Sequence, residues 1–162
     1  VRGTFSVISF KVQVWIWWAT PQDDSHLRVL LLKTHTGRGD FWQPVTGGVD
    51  PGEALPVAAL REATEETGLK FDEPPELLGK SFRFEHKIRT RGMAEEQAFS
   101  LRARGRGSEK EDRPPKVQLD PSEHEAYEWL TPSEALTRVK FESNRELLEE
   151  FLKSFKELKD KS

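Results

Sequence analysis

Cysteine is absent from this chain. Its absence excludes disulfides, zinc–thiolate centres and thiol nucleophiles. No apolar run approaches the ~20 residues of a membrane span. The first residues show no basic stretch leading into an apolar core, so no secretory leader is read and the cytoplasm is the expected compartment. A cationic surplus is missing too. There are 25 Lys and Arg against 28 Asp and Glu, a net charge of −3, which argues against a protein that coats nucleic acid. What remains is a polar-rich globular composition, 35% hydrophobic and 33% charged over 162 residues. That length suits one domain, residues 1–162, with a sizeable core.

The stretch from Gly47 to Leu69 carries the chemistry. It opens as a glycine-rich loop and continues as a helix predicted over Leu55–Thr67, with Pro56 tolerated in the first turn. Glu62, Glu65 and Glu66 fall at i, i+3 and i+4 and share a face. Val57, Leu60, Thr64 and Thr67 point the other way and are expected to pack on a sheet. Like charges crowded together destabilise a bare helix, so an opposite charge is expected among them. Hard divalent cations take oxygen ligands, and Mg²⁺ is held by a few carboxylates plus substrate phosphate oxygens. Gly47, Gly48 and Gly52 allow close approach of backbone to a ligand. Pro51-Gly52 reads as a turn, and Gly68 as the residue that ends the helix.

Elsewhere the pattern alternates strands and helices. Strands are predicted at Phe10–Trp18, Leu27–Lys33, Phe41–Val45, Leu77–Thr90, Glu95–Arg104 and Tyr127–Leu130. Thr20–Ser25 reads as a polar turn, Thr34–Asp40 as a loop, and Gly105–Pro115 as a mobile surface loop. Thr131 followed by Pro132 and Glu134 has the form of a helix cap, and Ser143–Leu158 reads as a long amphipathic helix. Mixed strands with separated helices argue for an α/β sandwich.

Gly47, Glu53, Arg61-Glu62-Ala63, Glu65-Glu66 and Gly68-Leu69 resemble the Nudix box at every fixed position and spacing. Ala63 is the weakest match, a small residue where the family prefers a bulkier one. The resemblance implies an α/β/α sandwich with a mixed sheet, and hydrolysis of a diphosphate bond with Mg²⁺, or Mn²⁺, as cofactor. It makes Glu66 and Glu62 direct metal ligands with Glu65 beside them. It also pairs Glu53 with Arg61 to fix the loop against the helix and so orient those ligands. Glu123 matches positions that supply a further acid, as ligand or general base, and His124 adjoins it.

Short segments around Phe41-Trp42-Gln43, Glu123-His124, Trp129-Leu130 and Ser143-Asn144-Arg145 are similar to the dihydroneopterin triphosphate pyrophosphohydrolase branch. Gly47 and Gly48 are expected at the phosphates. Trp42 and Phe84 stack on a flat ring or, as expected for Phe84, pack in the core. Arg83, Lys87, Arg89 and Arg91, with Arg102, Arg104 and Arg106, either clamp a polyphosphate or form a solvated hairpin. The expected substrate is a small nucleoside or pterin triphosphate, cleaved to monophosphate and pyrophosphate. Two other readings stand beside it: hydrolysis of a dinucleoside polyphosphate or RNA 5′ end, and a nucleotide-binding module without catalysis.

Overall fold

The computed structural model describes residues 9–20, 23–86, 92–107 and 112–160. Its centre is a mixed sheet. Strand β1 (Ser9–Thr20) runs parallel to β6 (Gly92–Arg102), while β2 (Asp23–Thr34) joins β1 in an antiparallel hairpin. β5 (Glu76–His86) flanks β6, and β7 (His124–Leu130) flanks β2.

Alternation along the strands sorts the core into two layers. Val12, Val14 and Ile16 of β1, with Leu30 and Leu32 of β2, face one side. There helix α1 (Leu55–Thr67) covers them with Ala58, Ala59 and Ala63. Trp15, Val29 and Leu31 face the other side. They are covered by α2 (Pro132–Arg138) and α3 (Glu142–Asp160), the latter through Leu147, Leu148 and Phe151. This is the α/β/α sandwich expected from the sequence. Among the described residues, no helix is long and apolar enough to cross a membrane.

Several boundaries differ for identifiable reasons. The strand predicted over Phe41–Val45 is two strands, β3 (Trp42–Gln43) and β4 (Val45–Gly48). Pro44 between them has no N–H to donate to a ladder, and the two halves take different partners. β3 pairs with β2 and β4 with β1. Asp23–Ser25 continues strand β2 and is not part of a turn. The Thr34–Asp40 loop contains a single 3₁₀ turn, Thr36–Arg38. β7 begins at His124 instead of Tyr127, so Glu123 sits at the mouth of a strand. The Thr131 capping box forms in full. Of Gly105–Pro115, residues 108–111 lie outside the described ones. Its described ends are joined by reciprocal backbone bonds between Arg106 and Arg113.

Candidate active site

Helix α1 faces the sheet with a side that its apolar pattern does not predict. Val57, Leu60 and Thr64, expected to pack, are exposed, Val57 by 57% and Leu60 by 37%. Of that predicted stripe only Thr67 is buried. The buried residues are Ala58, Ala59, Ala63, Glu66 and Thr67. Alanines allow the helix axis to come close to the sheet, and Gly47 on β4 removes the last obstacle. A Cβ built there would lie 2.1 Å from Glu62 Cδ. The small residue at position 63 therefore belongs to the same close approach.

Arg61 is the hub of the loop-to-helix connection. Its Nε and Nη2 donate to Glu53 at 2.8 and 2.9 Å, a two-pronged pair. Nη2 also donates to the Gly48 carbonyl at 2.9 Å, and Nη1 to Glu62 Oε1 at 3.0 Å and Glu65 Oε2 at 3.3 Å. The arginine's hydrogen bonds, with a further one from the Asp50 amide, hold the Glu53 carboxyl down at about 2. The turn that delivers Glu53 has Pro51 at its second position and Gly52 at its third, with φ +77° and a bond from Glu53 N to the Asp50 carbonyl. At the far end Gly68 takes φ +68° and its N–H caps Thr64.

The three helix glutamates differ in their surroundings. Glu62 and Glu66 turn into a cleft of about 380 Å³, which Gly47, Gly48, Glu123 and His124 also line. Glu65 is more than half exposed and engages Arg61. Within the cleft, burial pushes the Glu66 carboxyl up to about 8, and the carboxylates of Glu62, Glu123, Glu65 and Asp120 add to the shift. Glu62 is raised as well, again first by burial. Glu66 Oε2 is buried without a hydrogen-bond partner.

An uncompensated carboxylate oxygen beside two further carboxylates is a donor set that a divalent cation fits. Among the described residues, no three acidic or imidazole groups gather closely enough to cage a cation unaided. Mg²⁺ keeps several coordination positions for water and substrate phosphate.

The cleft also holds residues that sequence reasoning missed. Lys11 of β1 and Arg38 of the 3₁₀ turn line it, together with Thr34, Gln43 and Thr46. Arg38 Nη1 stands 4.0 Å from Glu123 Oε1. Neither cation belongs to a local motif. His124 is buried, its Nδ1 has no partner, and burial lowers its pKa.

Trp42 is elsewhere. It packs on the opposite core layer with the Arg138 guanidinium 5.1 Å over its ring. Arg102 lies over Trp17 and beside Glu73, Arg104 pairs with Asp72, and Arg106 bonds the Pro114 carbonyl. Arg83 is on β5, but its side chain and that of Phe84 are outside those described; so are Lys87, Arg89 and Arg91. A larger cavity of about 870 Å³ adjoins the cleft, sharing Lys11 and Gly48. Its walls include Phe10, Val49 and Leu55.

Comparison with known proteins bears on this arrangement. The family model described as NUDIX domain matches residues 10–151. An RNA pyrophosphohydrolase of Agrobacterium fabrum is 32% identical over 78% of this chain and 78% of its own. An asymmetrical bis(5′-nucleosyl)-tetraphosphatase of Rattus norvegicus is 34% identical over 79% and 80%. A dihydroneopterin triphosphate diphosphatase of Escherichia coli is 34% identical over 77% and 83%. The solved structure of the E. coli dihydroneopterin triphosphate pyrophosphohydrolase superposes with a TM-score of 0.64 at 28% identity, covering 88% of this chain and 93% of that one. The chain also matches an octanoyltransferase of Myxococcus xanthus at 32% identity, but spans only 30% of its length.

Proposed function

The chain belongs to the Nudix family of pyrophosphohydrolases, and from that premise we propose that it cleaves a triphosphate joined to a flat heterocycle. The heterocycle is a nucleoside base or a pterin, and the products are the monophosphate and pyrophosphate. The observation that carries this reading is the cleft in which Glu62, Glu66 and Glu123 face Lys11 and Arg38. Carboxylates for a cation and cations for phosphates stand around one space.

Glu62, Glu66 and Glu123 are the residues that would hold Mg²⁺ or Mn²⁺. Such an ion supplies charge relief on phosphate oxygens and acidifies a coordinated water. The chain's own groups do the rest. Arg61 locks Glu53, the Gly48 carbonyl and Glu62 in one network, so the ligand carboxylate is aimed before substrate arrives. Glu65 serves that network through Arg61. Lys11 and Arg38 meet the phosphate chain and neutralise charge as the pyrophosphate leaves. Glu123, partly exposed at the cleft's edge, accepts the proton of the attacking water. A new oxygen–phosphorus bond forms to the heterocycle-bearing phosphorus, and its bond to the bridging oxygen of pyrophosphate breaks. The adjoining cavity with Phe10, which is 42% exposed, receives the ring; this role passes to Phe10 from Trp42, whose ring lies in the opposite core layer.

The relatives that act on dinucleoside polyphosphates and on RNA break the same kind of bond, so a substrate panel decides among them. Phosphorus NMR of a single-turnover mixture with Mg²⁺ tests the reading. Monophosphate and pyrophosphate from guanosine or dihydroneopterin triphosphate are expected. Inorganic phosphate with a diphosphate as first products would overturn it. So would turnover confined to dinucleoside polyphosphates or RNA 5′ ends.

A further inference from the structure

The two cations of the phosphate cleft stand on different walls. Lys11 is on β1, which pairs with β4 at that end. Together with Gly48 it also borders the cavity that receives the ring. Arg38 follows β2, whose partners at that end are β3 and β7, and it lines the cleft alone. The carboxylates fall into an order between these walls. Glu62 packs against Gly47 of β4, the charges of Glu62 and Glu123 both act on Glu66, and Glu123 meets Arg38. From the ring cavity outwards the cleft therefore runs Lys11, Glu62, Glu66, Glu123, Arg38.

The loop that carries Arg38 is fastened from several sides. Its neck is closed by Thr34 N donating to the Phe41 carbonyl at 2.9 Å and Phe41 N donating to Thr34 Oγ1 at 2.9 Å. His35 N donates to the Glu123 carbonyl at 2.9 Å, and Thr36 Oγ1 to Glu125 Oε1 at 3.0 Å. Lys33 Nζ reaches Asp40 at 3.1 Å and Glu125 at 3.7 Å. The chain leaves through two successive residues of positive φ, Gly39 at +123° and Asp40 at +56°. A Cβ on Gly39 would lie 2.7 Å from Phe41 Cε1, and that ring is held edge-on by Phe141 with centroids 5.1 Å apart. Backbone of this kind persists where its surroundings over-determine it, and ligand clamps are one such place. The side chain so delivered is unused. Arg38 is 63% exposed, and among the described residues its guanidinium makes no hydrogen bond, only the 4.0 Å approach to Glu123. A planar fork of five N–H donors suits a phosphate group.

We infer that Arg38 takes the terminal phosphate, the one farthest from the ring, and that the fastened loop makes the enzyme select triphosphates over diphosphates. The inference rests on the proposed hydrolysis for the direction of the chain, with the ring in the cavity and the pyrophosphate outermost. A diphosphate ends short of Arg38 and leaves its donors idle. A triphosphate reaches them and gains charge-assisted hydrogen bonds at its far end. Gly39 is a positioning residue in this scheme, since it acts only through where the loop holds Arg38.

The probes are analogues of guanosine triphosphate and guanosine diphosphate in which CH₂ replaces every oxygen between phosphorus atoms, so that no turnover intrudes. Each is titrated with Mg²⁺ into the full chain by isothermal calorimetry. The parent should bind the triphosphate analogue at least about tenfold more tightly than the diphosphate analogue. Arg38→Gln should bring the two within about twofold by weakening the triphosphate analogue alone. Arg38→Lys keeps the charge but loses the fork, and should fall between. Gly39→Ala keeps the arginine but displaces the loop, and should shrink the preference as Arg38→Gln does. The melting temperature of Arg38→Gln should match the parent, because the side chain is exposed.

A parent without a triphosphate preference, whether from equal affinity or from binding neither analogue, would overturn the inference. So would Arg38→Gln weakening both analogues alike, or neither. The hydrolysis reading fails on different evidence, the products seen by phosphorus NMR. Monophosphate and pyrophosphate from the parent, with both analogues weakened alike in Arg38→Gln, keep that reading and sink this inference. Inorganic phosphate as first product, with the triphosphate preference lost only in Arg38→Gln, sinks that reading and keeps Arg38 on the terminal phosphate.

Discussion

The two faces of α1 obey different rules. Its outer face carries Val57, Leu60 and Thr64 in contact with solvent. Its inner face buries alanines beside the Glu66 carboxylate, with Glu62 half-buried next to it. A helix built only for stability would turn the first set inward. Here the sheet side is given to two carboxyl groups, and the cost appears as Glu66 raised to about 8 with an unpartnered oxygen. Stability has been exchanged for a place where positive charge is welcome.

Substitutions that separate the faces test this contrast. The largest effect is expected from Glu66→Gln, which keeps shape but loses charge. Turnover should fall to background at saturating Mg²⁺ in a pyrophosphate-release assay. The same change should stabilise the metal-free protein at high pH. An unfolded glutamate titrates near 4.5 and folded Glu66 near 8. The folded state therefore binds more protons between these values, and this group lowers stability progressively as pH rises from about 4.5 to about 8. Glu66→Gln removes that slope. In EDTA at pH 8 it should melt above the parent by roughly 5 °C or more, with the gap closing towards pH 4.5.

Glu123→Gln comes next. A general base contributes about 10²–10⁴-fold, so kcat should drop by that range with KM little changed. Unchanged kcat would take Glu123 out of the mechanism. Gly47→Ala should follow, with activity lower by about 10–100-fold, as when a ligand's support is lost. The atoms a Cβ would meet belong to the Glu62 side chain, so the carboxylate is displaced while the fold persists. Circular dichroism of the variant should match the parent. The smallest effect is expected on the outer face. Leu60→Gln should change stability by less than about 0.5 kcal/mol and leave turnover as it was; a large loss of activity there would erase the contrast.

Much of this was legible in sequence because it is local. The spacing from Gly47 to Leu69 marks the turn, the helix and its glycine stop, and the resemblance to the Nudix box implies the Glu53–Arg61 pair, all within 23 residues of chain. Apolar periodicity failed on the same helix, since it assumes that burial serves the hydrophobic effect, and Glu62 and Glu66 are turned inward for another purpose. The strand predicted over Phe41–Val45 ran through Pro44, and the change of partner from β2 to β1 on either side of it is a property of the sheet. Lys11 and Arg38 reach the cleft, and the Asp120 charge acts on Glu66, through tertiary placement alone. Trp42, beside Gln43 in sequence, faces away because neighbours on a strand point to opposite sides.

The central claim is that the inner face of α1 is a cation site. Titration of Mn²⁺ into the substrate-free protein, followed by electron paramagnetic resonance, tests it without relying on turnover. The parent and Leu60→Gln should bind Mn²⁺ alike, and Glu66→Gln should bind it at least about tenfold more weakly. Equal Mn²⁺ affinity in Glu66→Gln and the parent would contradict the account.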